Sequence, residues 1–286
     1  MSPATRSWHP VRPSGPYSLA LSARLVGDAT QRFRDGVLTT TVAGELVHAR
    51  QSPDGTVWLH GSPDATERLR WRLALDDDHS DFLCAVRDDP LLGRASRELR
   101  GLRPLRLGSV AHALLRAFCG QLILSREARA LERTIVRATT PAGLEGLRPA
   151  PTAVDLGRLS PARLRSLGLH GRRAAALVRI CRSLDLERLH ALPGEAVAAR
   201  LERERGLGPW SVGVVCLEGL GRYDRGLVGD LGLVKLLRSI RGRPVDAHET
   251  RGLLAPYGEW AGIASIYLLA AWGRGLVPLD EARQAA

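Results

Sequence analysis

The chain reads as an α+β protein, a small antiparallel sheet with helices first and an all-helical region after it. Three observations predict this. Up to His60 the apolar residues alternate, and turn signals cut them into short runs. From Val110 onward they recur at helical spacing. Within that helical part, Gly206-Leu207-Gly208-Pro209 separates two helices by a glycine turn. The expected divisions are a loose tail over 1–16, an α+β part over 17–98 and a helical part over 99–286.

Taken in order, residues 1–16 are rich in Pro and Ser and predict little order. Tyr17, Leu19, Leu21, Ala23 and Leu25 alternate, which predicts a half-buried strand. Asp35-Gly36, Gly44-Glu45 and Pro53-Asp54-Gly55 are turns, and Val37–Val42, Leu46–Arg50 and Thr56–His60 are the strands they bound. Ser62-Pro63 pairs a cap residue with a first-turn proline and starts a helix reaching about Leu75. Asp76-Asp77-Asp78-His79 reads as a solvated loop capping the next helix, because adjacent carboxylates point in several directions; no metal is assigned to it.

Beyond Val110 the helices are Val110–Phe118, Ser125–Arg137, one capped by Ser160-Pro161, Gly171–Leu184 and Ile263–Trp272. Val197 and Leu201 lie four apart and share a face of the helix before the glycine turn. Ser211 to Gly219 follows as an apolar run whose one charge is Glu218. A glycine turn of this kind leaves unshielded amides at a helix N-terminus, a setting that binds phosphate. The glycines follow a helix and are wrongly spaced for a dinucleotide fingerprint.

Composition narrows the partners. The 286 residues carry a net charge of +11, which favours a polyanion, although the bias to arginine also fits a GC-rich genome. No apolar run is long enough for a membrane span, and the N-terminus lacks an export signal, so a cytoplasmic, nucleoid-associated bacterial protein is expected. Cys84, Cys119, Cys181 and Cys216 stand far apart in apolar helical patterns and read as free buried thiols; without a CxxC pair, structural zinc is not expected.

The segments Gly206-Leu207-Gly208-Pro209-Trp210-Ser211 and Gly229-Asp230-Leu231-Gly232-Leu233 together resemble the helix-hairpin-helix DNA glycosylases, and most of all their AlkA-type 3-methyladenine members. Leu75-Asp76-Asp77-Asp78 with Asp81-Phe82, and Gly101-Leu102-Arg103-Pro104, extend the likeness toward the N-terminus. The resemblance implies a sheet domain like half of a TATA-binding protein, and a substrate of double-stranded DNA with damaged bases. It implies release of alkylated, and by extension deaminated, purines in base excision repair. A monomer with no cofactor is expected; relatives hold a cation at the hairpin beside the DNA phosphate. No cysteine follows Cys216, so the iron–sulfur cluster of some relatives is not expected.

Residue by residue, the resemblance makes Asp230 the catalytic carboxylate, which stabilises the positive charge on the sugar as the base departs. A carboxylate there also suits an N-cap for the helix Leu231–Ile240. Trp210, Tyr267 and Trp272 are the expected base-pocket aromatics, with Val214 where AlkA has a ring. Gln121-Leu122 resembles the family's Gln-Leu turn, whose leucine wedges into the gap left by the flipped base. Gly206, Gly208 and Ser211 at the hairpin, with Arg172, Arg173 and Arg205 nearby, are expected to hold phosphates. Strand-cleaving relatives carry a lysine where this chain has Trp210, and its one lysine, Lys235, lies five residues past Asp230. A monofunctional enzyme is therefore expected. The competing reading is a helix-hairpin-helix DNA-binding or damage-sensing protein without catalysis; the carboxylate at Asp230 weighs against it.

Overall fold

The computed structural model describes residues 7–23 and 28–279. Residues 1–6 of the expected tail and Leu25 of the expected first strand fall outside this range. Five strands form one antiparallel sheet: β1 (Ser7–Val11), β2 (Gln31–Arg34), β3 (Val37–Val42), β4 (Glu45–Gln51) and β5 (Val57–Gly61), in the order β1-β5-β4-β3-β2. Helix α1 (Leu19–Ala23) precedes β2, and α2 (Pro63–Arg72) follows β5. Leu38, Val47, Ala49, Val57 and Leu59 point to the covered face and meet Leu19, Ala23, Leu69 and Leu73 in one buried cluster.

Two expectations fail here. Ser7–Val11 is not a loose tail; it pairs with β5 from Ser7 opposite Gly61 to Val11 opposite Val57. Pro10 is tolerated because β1 is an edge strand. The segment from Tyr17 is not a strand but carries α1. Leu19 and Ala23 are four apart as well as an even number apart, so both periods fit, and Ala and Leu favour the helix. Gln51 fixes the segment, accepting from the Leu19 amide at 2.9 Å and donating to the Tyr17 carbonyl at 3.0 Å.

The remaining helices form the larger core. They are α3 (Ser80–Ala85), α4 (Gly93–Glu98), α5 (Val110–Gly120), α6 (Ser125–Thr139), α7 (Ala153–Gly157), α8 (Pro161–Ser166) and α9 (Gly171–Ser183). After these come α10 (Gly194–Glu202), α11 (Pro209–Val214), α12 (Leu231–Arg241), α13 (Thr250–Leu254) and α14 (Ala261–Trp272). Between α11 and α12, Val215–Gly219 makes an i→i+5 turn. Phe82, Leu92, Ala95 and Leu99 of the α3–α4 region are buried with this helical core rather than with the sheet cluster. Helix α5 is central and has nine buried residues out of eleven.

Side chains from 70–79 tie the two cores together. Asp77 accepts from both the Arg106 guanidinium and the Tyr223 hydroxyl. Arg103, fully buried, donates to the carbonyls of Ala74, Ser14 and Pro16. The acidic run is thus a junction as well as a cap. Asp78 does cap α3, accepting from the Ser80 amide at 2.8 Å. His79 is buried, neither ring nitrogen has a hydrogen-bond partner among the described residues, and burial lowers its pKa to about 4.

Candidate active site

A cleft of about 610 Å³ opens between α5, α6, the start of α11, the start of α12 and α14. Its first side is the hairpin. Helix α10 ends at Glu202, Gly206 turns the chain at φ +101°, and Gly208 leads into α11. A side chain at Gly206 would press on Ala176 of α9 and on Phe118. Glu204 braces the turn, accepting from Arg179 at 2.5 Å and Arg200 at 2.6 Å. Gly206 and Gly208 are exposed, and the first turn of α11 offers amides with no intrahelical acceptor. Arg172 and Arg173 lie one turn before Ala176 on α9, beside the hairpin.

Ser211 is a correction. Its side chain is buried and its hydroxyl accepts from Gln121 Nε2 at 3.0 Å, so it faces inward and not toward a phosphate. The same Gln121 amide donates to the Gly206 carbonyl at 2.9 Å. The Gln-Leu turn is thereby bonded to the hairpin. Leu122, next in the chain, is 84% exposed and sits at φ +58°, a left-handed conformation uncommon for a leucine. Both residues line the cleft mouth.

Asp230 stands between the hairpin and α12. One carboxylate oxygen caps α12, accepting from the Gly232 amide at 2.7 Å and the Leu233 amide at 3.4 Å. The other accepts from Trp210 Nε1 at 3.0 Å. Gly229 precedes it at φ +88°, and the Thr250 hydroxyl holds the Gly229 amide at 2.7 Å. The carboxylate is only half-buried and lines the cleft. Gly120 makes room for the Trp210 ring, since a Cβ there would lie 2.5 Å from it. The indole is thus fixed by its N–H and by the edge of its six-membered ring.

The last helix contributes Trp272 to the cleft, with Ile266, Leu269 and Ala270. Tyr267 is the second correction. It is 1% exposed, packs against Phe82 at 5.2 Å between rings, and donates to the Leu99 and Leu102 carbonyls at 3.1 and 3.3 Å. Helical geometry turns it away from the face that carries Ile266 and Ala270. Cys84 is a third: it is exposed, whereas the other three cysteines are buried. Lys235 is exposed and lines the cleft on α12.

Sequence reasoning missed the cleft's charged floor. Arg116 donates to Glu218 at 2.5 Å, Asp28 at 2.6 Å and Glu132 at 2.9 Å. His112 bonds Glu132 at 2.8 Å. Burial would raise the pKa of Glu132, but Arg116 and His112 outweigh it and hold the acid below its usual range. Asp28 is lowered for the same reason. Asp28, His112 and Glu132 bring ligand atoms within 4.8 Å of one another. The Arg116 guanidinium bonds both carboxylates and supplies the positive charge a metal would bring. The available signal was Glu218 itself, a lone charge in an apolar run two turns after Trp210.

No protein-family model matches the chain. The DNA-3-methyladenine glycosylase of Bacillus subtilis is 26% identical over 205 residues, 68% of this chain and 67% of that protein. The 3-methyladenine DNA glycosylase of Archaeoglobus fulgidus superposes with a TM-score of 0.79 at 20% identity, covering 92% of this chain and 97% of its own. The 8-oxoguanine glycosylase/lyase of Clostridium acetobutylicum, solved with double-stranded DNA containing cytosine opposite 8-oxoG, gives 0.77 at 18% identity, over 91% and 93%. A sheet domain and a helical core around a hairpin-lined cleft define the helix-hairpin-helix glycosylase architecture. This chain shares that fold with the solved glycosylases, and the Bacillus relative extends the likeness to the sequence.

Proposed function

We propose that the chain is a monofunctional DNA glycosylase that releases alkylated purines, and deaminated purines as second substrates, from double-stranded DNA. The observation that carries this is the Trp210–Asp230 pair at 3.0 Å inside a cleft whose mouth presents Leu122. In this reading the hairpin amides and the arginines of α9 grip the phosphates, and the damaged base leaves the stack. Leu122 fills the gap it leaves. The base stacks on the Trp210 indole, whose electron-rich face favours a cationic ring. As the glycosidic bond breaks, positive charge gathers on the sugar, and the Asp230 carboxylate stabilises it and orients water toward the anomeric carbon. Trp210 cannot form an imine, so no Schiff base arises at the hairpin.

The test is single-turnover release of 3-methyladenine and hypoxanthine from defined duplexes, followed by borohydride treatment. A free base, an intact abasic strand and no covalent adduct are expected. Tight duplex binding with no base released would make the protein a non-catalytic binder. An adduct that disappears in Lys235→Arg would make Lys235 a nucleophile.

A further inference from the structure

Past Trp210 the cleft holds a polar pair that the scheme above leaves unused. Trp210, Val214 and Glu218 follow one another at four-residue steps, and all three line the cleft. Helix α5 answers at the same step, with Gly120 against the Trp210 ring and Arg116 bonded to Glu218. The Glu218 and Arg116 side chains are 20% and 14% exposed, so both are open to the cleft, whereas Glu132 behind them is 1% exposed. The i→i+5 turn Val215–Gly219 carries Glu218, a distortion that often marks functional positions. The Leu107 amide fixes the same residue by donating to its carbonyl at 2.7 Å. Between the indole and this pair stands Val214, where a ring would close the way.

We infer that Glu218, held by Arg116, reads the inward edge of the extruded base and selects purines that direct an exocyclic amine at it over those with a carbonyl in that place. This deepens the proposed glycosylase reading and rests on it. A carboxylate only accepts hydrogen bonds. An exocyclic amine directed inward satisfies it. A carbonyl in the same place sets two acceptors face to face and leaves a desolvated charge without a donor. Arg116 pairs with the carboxylate, so no isolated charge is stranded in the wall. The selectivity therefore comes from a hydrogen bond at the floor, added to stacking at Trp210.

Glu218→Gln tests this, because an amide supplies both a donor and an acceptor at nearly the same volume. Single-turnover release is measured for 3-methyladenine, whose edge bears an amine, and for hypoxanthine, which has a carbonyl there. The ratio of the two rates is expected to fall roughly ten- to a hundredfold in favour of hypoxanthine. Binding to a duplex with an abasic-site analogue, which has no base to read, is expected to stay at the wild-type level. Equal loss on both bases, or weakened binding to the abasic analogue, would make Glu218 a structural residue and overturn the inference. Should Glu218→Gln not fold, Val214→Phe closes the approach without touching the ion pair and is expected to lower the same ratio; an unchanged ratio overturns the inference as well. Wild-type protein that releases neither base refutes the glycosylase reading itself, an outcome distinct from a failed ratio.

Discussion

Asp230 and Glu132 are carboxylates lining one cleft, held in opposite ways. Asp230 is half-buried, and its three partners are two backbone amides and an indole N–H, all neutral. Glu132 is 1% exposed and faces the Arg116 guanidinium and His112. Neutral donors orient a carboxylate and leave its charge in place, whereas a guanidinium cancels the charge. The first arrangement keeps a negative charge available to a reacting centre. The second uses its charges up in holding α5, α6 and the turn after α11 together. His79 is a third case, a buried titratable ring with no hydrogen-bond partner among the described residues.

The comparison breaks most sharply at Asp230. Asp230→Asn keeps the shape and removes the charge, so base release should fall by roughly a thousandfold while duplex affinity stays near wild type. Single-turnover excision checks this, and release at the wild-type rate would reduce Asp230 to a helix cap.

Arg116→Met removes the cation and leaves three carboxylates facing one another. The loss should be about 3–5 kcal/mol of folding stability, read from urea unfolding near neutral pH. Glu132 and Asp28 have folded pKa values below their unfolded ones, so in the wild type their contribution is complete above the unfolded carboxylate range. It is lost as pH falls through the folded values. In the variant the repulsion should instead ease on acidification, which narrows its deficit. A deficit that does not change with pH would assign Arg116 a packing role.

The smallest effect belongs to His79. Burial lowers its pKa from 6.5 to about 4, Arg103 and Arg106 add to this, and Asp77 and Asp78 oppose it. Protonation thus favours the unfolded chain. The stability tied to a neutral His79 is complete above about pH 6.5 and drains away as pH falls toward 4, on the order of 3 kcal/mol. His79→Phe should flatten the unfolding midpoint over that interval, and a wild-type slope in the variant would place the acid sensitivity elsewhere.

Much of this was legible in the chain. Turn residues bounded β3, β4 and β5, and the cap residues Ser160 and Asp230 sit at helix starts as expected, because those signals are local. The pairing of β1 with β5 was not legible: it joins residues about fifty positions apart, and a proline-rich segment carries no sign of its partner. Helix α1 was hidden because its apolar spacing fits two periods. Tyr267 and Trp272 both occupy α14, and only packing decides which one reaches the cleft. Arg116 and Glu218 are 102 positions apart and meet only when α5 packs against the turn after α11.

The Gln121 side chain joins two features treated separately above, donating to the Gly206 carbonyl and to the Ser211 hydroxyl. The leucine lip and the glycine hairpin are thereby linked by one amide. Linkage of this kind is reciprocal: whatever steadies the hairpin steadies Leu122, and whatever engages Leu122 stiffens the hairpin by the same free energy. Under the proposed function, gripping a strand and testing its stacking become one cooperative event, read by the two lips together.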